Sequence, residues 1–268
     1  MTETETVADL AERLAREAGA IQRERFETEI RISTKGTPTN LVTEVDHQCE
    51  ALIVGGLEQE RPNDSVLAEE GSGQDDPSAE WRWVIDPLDG TTNYAHGYPR
   101  FCVSIGVERG GVREVGVVYD PLLDECYRAV RGGGASLNGR RIQVSSEDRL
   151  EHSLAATGFA YDVHKSPDDN LANFGRMIKS TRAVRRDGSA ALDLCYVAAG
   201  RLDAFWEFKL NAWDIAAGLL LVEEAGGRCT NMAGDPPPRS GAETIASNGV
   251  LHDAILALLE TQRPASAE

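Results

Sequence analysis

No stretch of these 268 residues approaches the roughly 18–20 consecutive apolar positions that a membrane-spanning helix needs. Residues 1–9 are polar and acidic where a secretory signal would be basic and then apolar, which argues against export and predicts a cytoplasmic protein. Basic residues are scarce as well: 27 Lys and Arg stand against 44 Asp and Glu, a net charge of −17. Nucleic acid is held by neutralising its phosphates, so this balance argues against it as a principal ligand. Small phosphate esters stay open to an acidic protein whose carboxylates recruit cations. There is no C-x-x-C pair, and the five histidines show no close ligand spacing, which speaks against zinc. Cys49, Cys102, Cys126, Cys195 and Cys229 are odd in number and scattered through apolar segments, and read as reduced core residues. The run Gly132-Gly133-Gly134 lacks the Gly-Lys-Ser/Thr ending of a phosphate loop and no helix follows it, so it predicts a turn between strands. Internal repeats and low-complexity linkers are missing too.

What is present is concentrated in residues 81–93, WRWVIDPLDGTTN. Aromatic and β-branched residues 81–85 predict a strand, Pro87 is expected to stop it, and Asp86 is thereby delivered at its tip. Asp89 is expected as the N-cap of a helical turn, with the free N–H groups of residues 90–93 available to phosphate oxygens. Two carboxylates three residues apart on a tight turn repel unless a cation joins them, and oxygen ligands suit magnesium better than zinc. Asp-Pro, Asp-Gly and Thr-Thr are also ordinary turn chemistry, so this stretch alone does not decide between a site and a turn.

Along the chain, residues 7–26 carry an apolar stripe at helical spacing, and 33–40 (STKGTPTN) form a Gly/Pro/Thr-rich loop containing Lys35. A second helix runs to about residue 60 with Asp46 in its first turn, where the dipole favours an acid whatever its function. A short strand at 65–68 feeds Glu69 and Glu70. An antiparallel meander follows at 101–108, 112–119 and 125–130. Beyond residue 145 strands (154–157, 183–186, 203–208, 244–247) alternate with helices (168–179, 188–199, one opened by Trp213-Asp214, and 249–259), the rhythm of an α/β layer.

Together, Glu69-Glu70, Asp86-Pro87-Leu88-Asp89-Gly90-Thr91-Thr92-Asn93 and Trp213-Asp214-Ile215-Ala216-Ala217-Gly218 strongly resemble the inositol monophosphatase family of magnesium-dependent, lithium-sensitive phosphatases, over about residues 7–260. The resemblance implies a mixed α+β and α/β fold, a layered αβαβα sandwich of the kind shared with fructose-1,6-bisphosphatases. One phosphatase fold is expected over 1–262, with an N-terminal α+β part bearing an antiparallel sheet to about 145, a C-terminal α/β part from about 146, and a tail at 263–268. It further implies two or three Mg2+ ions per site. Glu69, Asp86 and the backbone carbonyl of Leu88 are expected to hold one, and Asp86, Asp89 and Asp214 a second. Glu70 is expected to orient a water, and Thr91, hydrogen-bonded to Asp46, to orient and deprotonate the attacking one. Asp89, Gly90, Thr91, Thr92, Ala190, Glu207 and Asp214 are implied substrate contacts, and Lys35 a loop residue closing over the metals. A homodimer is also implied.

The activity implied is magnesium-dependent hydrolysis of inositol monophosphate. Fructose 1,6-bisphosphate and histidinol phosphate are alternatives on the same metal core, and a non-catalytic protein- or RNA-binding regulator is an alternative of another class. Arg185-Arg186-Asp187 departs from the more neutral segment of animal enzymes and leaves a second phosphate or a partner subunit open as its contact.

Overall fold

The structure is a computed structural model describing residues 2–259; the expected tail at 263–268, and the end of the fold expected at 262, lie outside the described residues. Helix α1 (Glu3–Arg25) is opened by Thr2, whose hydroxyl accepts from the Glu5 N–H, and it buries Val7, Leu10, Leu14 and Ala18 on one stripe. Strands β1 (Ile32–Thr34) and β2 (Leu41–Thr43) pair antiparallel around the Lys35 loop and lead into α2 (Glu44–Glu60). That helix starts with a capping box: Thr43 Oγ1 accepts from Val45 N, and Asp46 accepts from Thr43 N at 2.9 Å.

Seven strands then form one sheet in sequence order: β3 (Ser65–Ala68), β4 (Trp81–Asp89), β5 (Cys102–Arg109), β6 (Val112–Asp120), β7 (Glu125–Val130), β8 (Gly134–Leu137) and β9 (Arg140–Arg141). Only β3–β4 is parallel, and the glycine run makes the antiparallel β7–β8 turn. Helix α3 (Thr91–Ala95) lies between β4 and β5. The rest of the chain is β10 (Leu154–Thr157), α4 (Leu171–Ser180), β11 (Ala183–Arg185), α5 (Ala190–Ala198), β12 (Ala204–Asn211), α6 (Ala212–Glu224), β13 (Arg228–Thr230), β14 (Gly241–Ser247) and α7 (His252–Leu259). Its sheet has the order β11-β10-β12-β14-β13, parallel across β11-β10-β12 and antiparallel beyond.

These parts stack in five layers. Helices α1 and α2 cover one face of the seven-stranded sheet, α5 and α6 fill the space between the sheets, and α4 and α7 cover the far face of the second sheet. This is the αβαβα sandwich. A sheet covered on both faces needs a strand apolar on both, which is why all nine residues of β4 are buried. Helix α6 lies almost on the backbone of β5 and β6: a Cβ on Gly106 would stand 2.6 Å from that of Ala216, and one on Gly116 would stand 2.6 Å from the Ala217 carbonyl oxygen. All five cysteines are buried and unpaired, as a reduced core requires.

Pro87 does not end β4, contrary to expectation. The strand continues to Asp89 through a bulge: Asp86 faces Ser104 and Asp89 faces Cys102, so β4 spends one residue more than β5 across that step. A bulge leaves a residue without a ladder bond, which is where a residue lacking an N–H is tolerated. Asp89 is likewise not the N-cap of α3. Gly90 holds that position with φ +97°, a left-handed conformation that favours glycine, and it makes no side-chain cap.

Candidate active site

The bulge in β4 turns Asp86, the Leu88 carbonyl and Asp89 toward a cavity of about 690 Å³, which is also lined by α3, the first turns of α5 and α6, β12 and the Lys35 loop. Each acid around it is held by the element that carries it or by a neighbour. Asp86 Oδ1 accepts from Leu88 N at 3.0 Å. Asp89 Oδ2 accepts from Ser189 Oγ and Ala191 N, both at 2.7 Å, so the first turn of α5 anchors it where a helix dipole favours negative charge. Asp214, third residue of α6, closes a capping box with Asn211: its Oδ2 accepts from Asn211 N at 2.6 Å, while the same side chain lines the cavity. Glu69 reaches the cavity from the end of β3.

Of the residues singled out from the sequence, Lys35, Glu69, Asp86, Leu88, Asp89, Gly90, Thr91, Thr92, Ala190, Glu207 and Asp214 all line this cavity. Asp46 and Glu70 do not. Asp46 stands behind Thr91, accepting from Thr91 Oγ1 at 3.0 Å, and the same hydroxyl lies 3.1 Å from the Leu88 carbonyl oxygen. Glu70 is almost fully enclosed and is engaged by the Lys35 ammonium, which also donates to Glu69 Oε1 at 2.9 Å. Arg186 lines the cavity, whereas Arg185 is exposed outside it.

Burial pushes the carboxyls of Asp86, Asp89 and Asp214 up from their usual range, and each is pushed further by its neighbours' charge. For Asp86 the largest of these neighbouring charges is Glu69. Among the described residues no three Asp, Glu, His or Cys side chains close into a ready-made metal cage; the acids ring the cavity, and of them Glu69 is held by the Lys35 ammonium, which also binds Glu70 behind it. The donor set nevertheless fits a hard divalent cation. It is all oxygen, it is enclosed, and its like charges raise one another's pKa, which a cation among them reverses.

On the opposite wall, burial raises Glu207 to about 8 against the opposing pull of Arg186, with Asp89 adding to the rise. Its carboxyl lies over Gly158, where a Cβ would fall 2.1 Å from Oε2. Glu207 keeps partial contact with the cavity solvent even so.

Several residues at this site were not anticipated. Ser189 anchors Asp89, and its place just ahead of an apolar helix is an N-cap signal that could have exposed it. Asp193 lines the cavity with a buried Oδ1 that has no hydrogen-bond partner among the described residues; an acid inside the apolar run LDLCYVA was its signal. Tyr161, half-exposed at the cavity mouth, accepts from Thr39 Oγ1 through its carbonyl at 3.0 Å and ties the Lys35 loop to the 158–164 segment, a contact no local pattern announces.

Comparison with known proteins gives the same direction throughout. The model of the inositol monophosphatase family matches residues 3–263. A Synechocystis protein named inositol-1-monophosphatase is 46% identical over 224 residues, 84% of this chain and 78% of its own. A Pseudomonas aeruginosa protein named Nus factor SuhB is 43% identical over 96% of this chain and 97% of its own. The solved inositol monophosphatase of Anabaena (Nostoc) superposes with a TM-score of 0.89 at 42% identity, covering all of both chains. With one family model spanning nearly its whole length and relatives above 40% identity on the same five layers, the chain belongs to the inositol monophosphatase family, enzymes that hydrolyse phosphate monoesters.

Proposed function

We propose that the protein hydrolyses an inositol monophosphate, myo-inositol 1-phosphate in particular, to inositol and phosphate with Mg2+ as its cofactor. The observation that carries this reading is the convergence of Glu69, Asp86, Asp89 and Asp214 on one cavity that also holds Thr91, backed by Asp46. The names of the Synechocystis and Anabaena relatives supply the inositol ester as substrate.

Glu69, Asp86 and the Leu88 carbonyl would hold one Mg2+, and Asp86, Asp89 and Asp214 a second; the family resemblance allows a third. When bound, such ions supply charge to the phosphate oxygens and acidify an attacking water. The chain's own groups do the rest. Thr91 donates its hydroxyl proton to Asp46, which turns its oxygen lone pairs outward to accept a proton from the attacking water. Burial raises the carboxyl of Asp46, and the hydrogen bonds from Thr43 and Thr91 oppose that rise, so it is a stronger base than a free aspartate. The opening N–H groups of α3, at Gly90, Thr91 and Thr92, lack intrahelical acceptors and suit phosphate oxygens. Glu207 and the wall at Ala190 face the leaving group, where the carboxyl, protonated below about pH 8, can donate one hydrogen bond to a polyol hydroxyl and accept from another. The water oxygen forms the new bond to phosphorus as the ester bond breaks, and the alcohol leaves with a proton taken from solvent. By the same resemblance the reading includes lithium sensitivity and a homodimer, and the polar, acidic residues 1–9 add a cytoplasmic setting.

A second reading, a protein- or RNA-binding regulator, draws on the name of the Pseudomonas relative. The retained acids and a net charge of −17 favour the enzyme. The test is phosphate release with and without Mg2+ from myo-inositol 1-phosphate, fructose 1,6-bisphosphate and histidinol phosphate. Selective magnesium-dependent release from the inositol ester is expected. Preference for another ester would overturn the substrate, and release from none would turn the case toward the regulator.

A further inference from the structure

We propose that Glu50, which no step above uses, is a positioning residue: it locks the turn that presents Glu69, and so sets how tightly the site takes up a cation. The proposal rests on the reading of Glu69 as a cation ligand.

Glu50 lies on α2 and is 1% exposed, yet among the described residues no Lys, Arg or His pairs with it. Its two oxygens are spent on backbone: Oε2 accepts from Glu70 N at 2.7 Å and Oε1 from Ser72 N at 2.8 Å. A buried carboxylate without a counter-ion is costly, and these two bonds are what offsets that cost. They complete a set. Glu69 N donates to the Ile85 carbonyl of β4 at 3.1 Å, and Gly71 N to that of Ala68 at 3.2 Å. Four consecutive N–H groups, 69 to 72, are therefore tied to three different parts of the chain, and the backbone carrying Glu69 has no freedom to turn it away from Asp86. Orienting a ligand from behind in this way raises metal affinity, because the ordering is done before the ion arrives. A like device stands at a neutral place: Glu224 accepts from Gly132 N and Gly134 N, both at 2.8 Å, and holds the β7–β8 turn outside the cavity lining. That pair of clamps gives a matched control.

Glu50→Gln keeps the side chain's size but turns one acceptor into a donor facing a backbone N–H. We expect Mg2+ binding measured by titration calorimetry to weaken ~10-fold or more, the scale on which groups supporting metal ligands act. The Mg2+ concentration for half-maximal phosphate release should rise in step, with KM for the ester at saturating Mg2+ near wild type. Glu224→Gln, which loses the same kind of bond, should leave Mg2+ affinity unchanged. Melting in chelator separates folding from binding, and Glu50→Asp, charged but one methylene short, serves as the second variant. Wild-type Mg2+ affinity in both folded variants would overturn the proposal, as would failure of both to fold, which would make Glu50 a determinant of the fold. Wild-type protein that takes up no Mg2+ would remove the reading of Glu69 and the proposal with it, whereas wild-type uptake with unchanged variants removes only the proposal.

Discussion

At the scale of single residues, the site is built from groups with two duties. Asp46 and Asp214 are each the third residue of a helix and cap it, and each also serves the cavity, Asp46 from behind by accepting from Thr91 Oγ1 and Asp214 by lining it. Asp89 is fixed by α5 through one oxygen, so the other is free to act. Glu207 has no such anchor, and its burial leaves a mark on stability. Its carboxyl holds a proton up to about pH 8 in the folded chain, against an ordinary value of 4.5. Between those values the native state binds more protons than the unfolded one, so this group's contribution falls as pH rises and is fully lost above the folded pKa. Glu207→Gln carries no such proton. Its stability in chelator should therefore improve relative to wild type between pH 5 and pH 8, read from urea melts at both; parallel profiles would show that Glu207 is ionised in the fold throughout.

Elements deliver these residues by close approach. Helix α6 brings Asp214 to β4 because Gly106 and Gly116 leave no side chain between the helix and the sheet. A methyl at Gly106 meets the backbone of Ala216 as well as its side chain, so the helix must move bodily. Gly106→Ala should cost about 1–3 kcal/mol in urea unfolding, as overpacking does, and should lower activity further by shifting Asp214. Full activity with unchanged stability would mean that α6 does not rest on these glycines. The elements themselves were largely legible. Ser65–Ala68, Glu125–Val130 and Leu154–Thr157 fall where β-branched and apolar runs end at turn residues. The course of β4 past Pro87 was not, because whether a proline ends a strand or sits in its bulge depends on the register of β5, some fifteen residues away. For the same reason Asp89 looked like a cap, although its partners are at Ser189 and Ala191.

For the molecule as a whole, the cavity carboxylates oppose folding until a cation joins them. On the proposed reading Mg2+ would bind the folded chain in preference to the unfolded one, so it should add about 2.7 kcal/mol of stability at a concentration ~100 times Kd and raise the melting temperature with it. Asp89→Asn should lose much of that increase. Its amide oxygen can keep the bonds from Ser189 and Ala191 while the cavity loses one charge, so the fold in chelator should survive and turnover should drop at least ~100-fold, the effect of removing one preorganised charge-stabilising group. Retained magnesium-dependent turnover would remove Asp89 from the site. By itself the sequence determined most of the helices and strands, which follow from periodicity and turn chemistry that neighbours in the chain supply, and through the resemblance its motifs carry it pointed to the layered class and the candidate acids. Only the tertiary structure decided that Glu69, Asp86, Asp89 and Asp214 share one cavity, that Asp46 and Glu70 stand behind it, that Ser189, Asp193 and Tyr161 line it as well, and that Glu50 accepts from the Glu70 N–H. The physical reason is that charge repulsion, burial and hydrogen-bond partners act through space, between residues far apart in the chain, while the patterns legible in a sequence reach little farther than a turn.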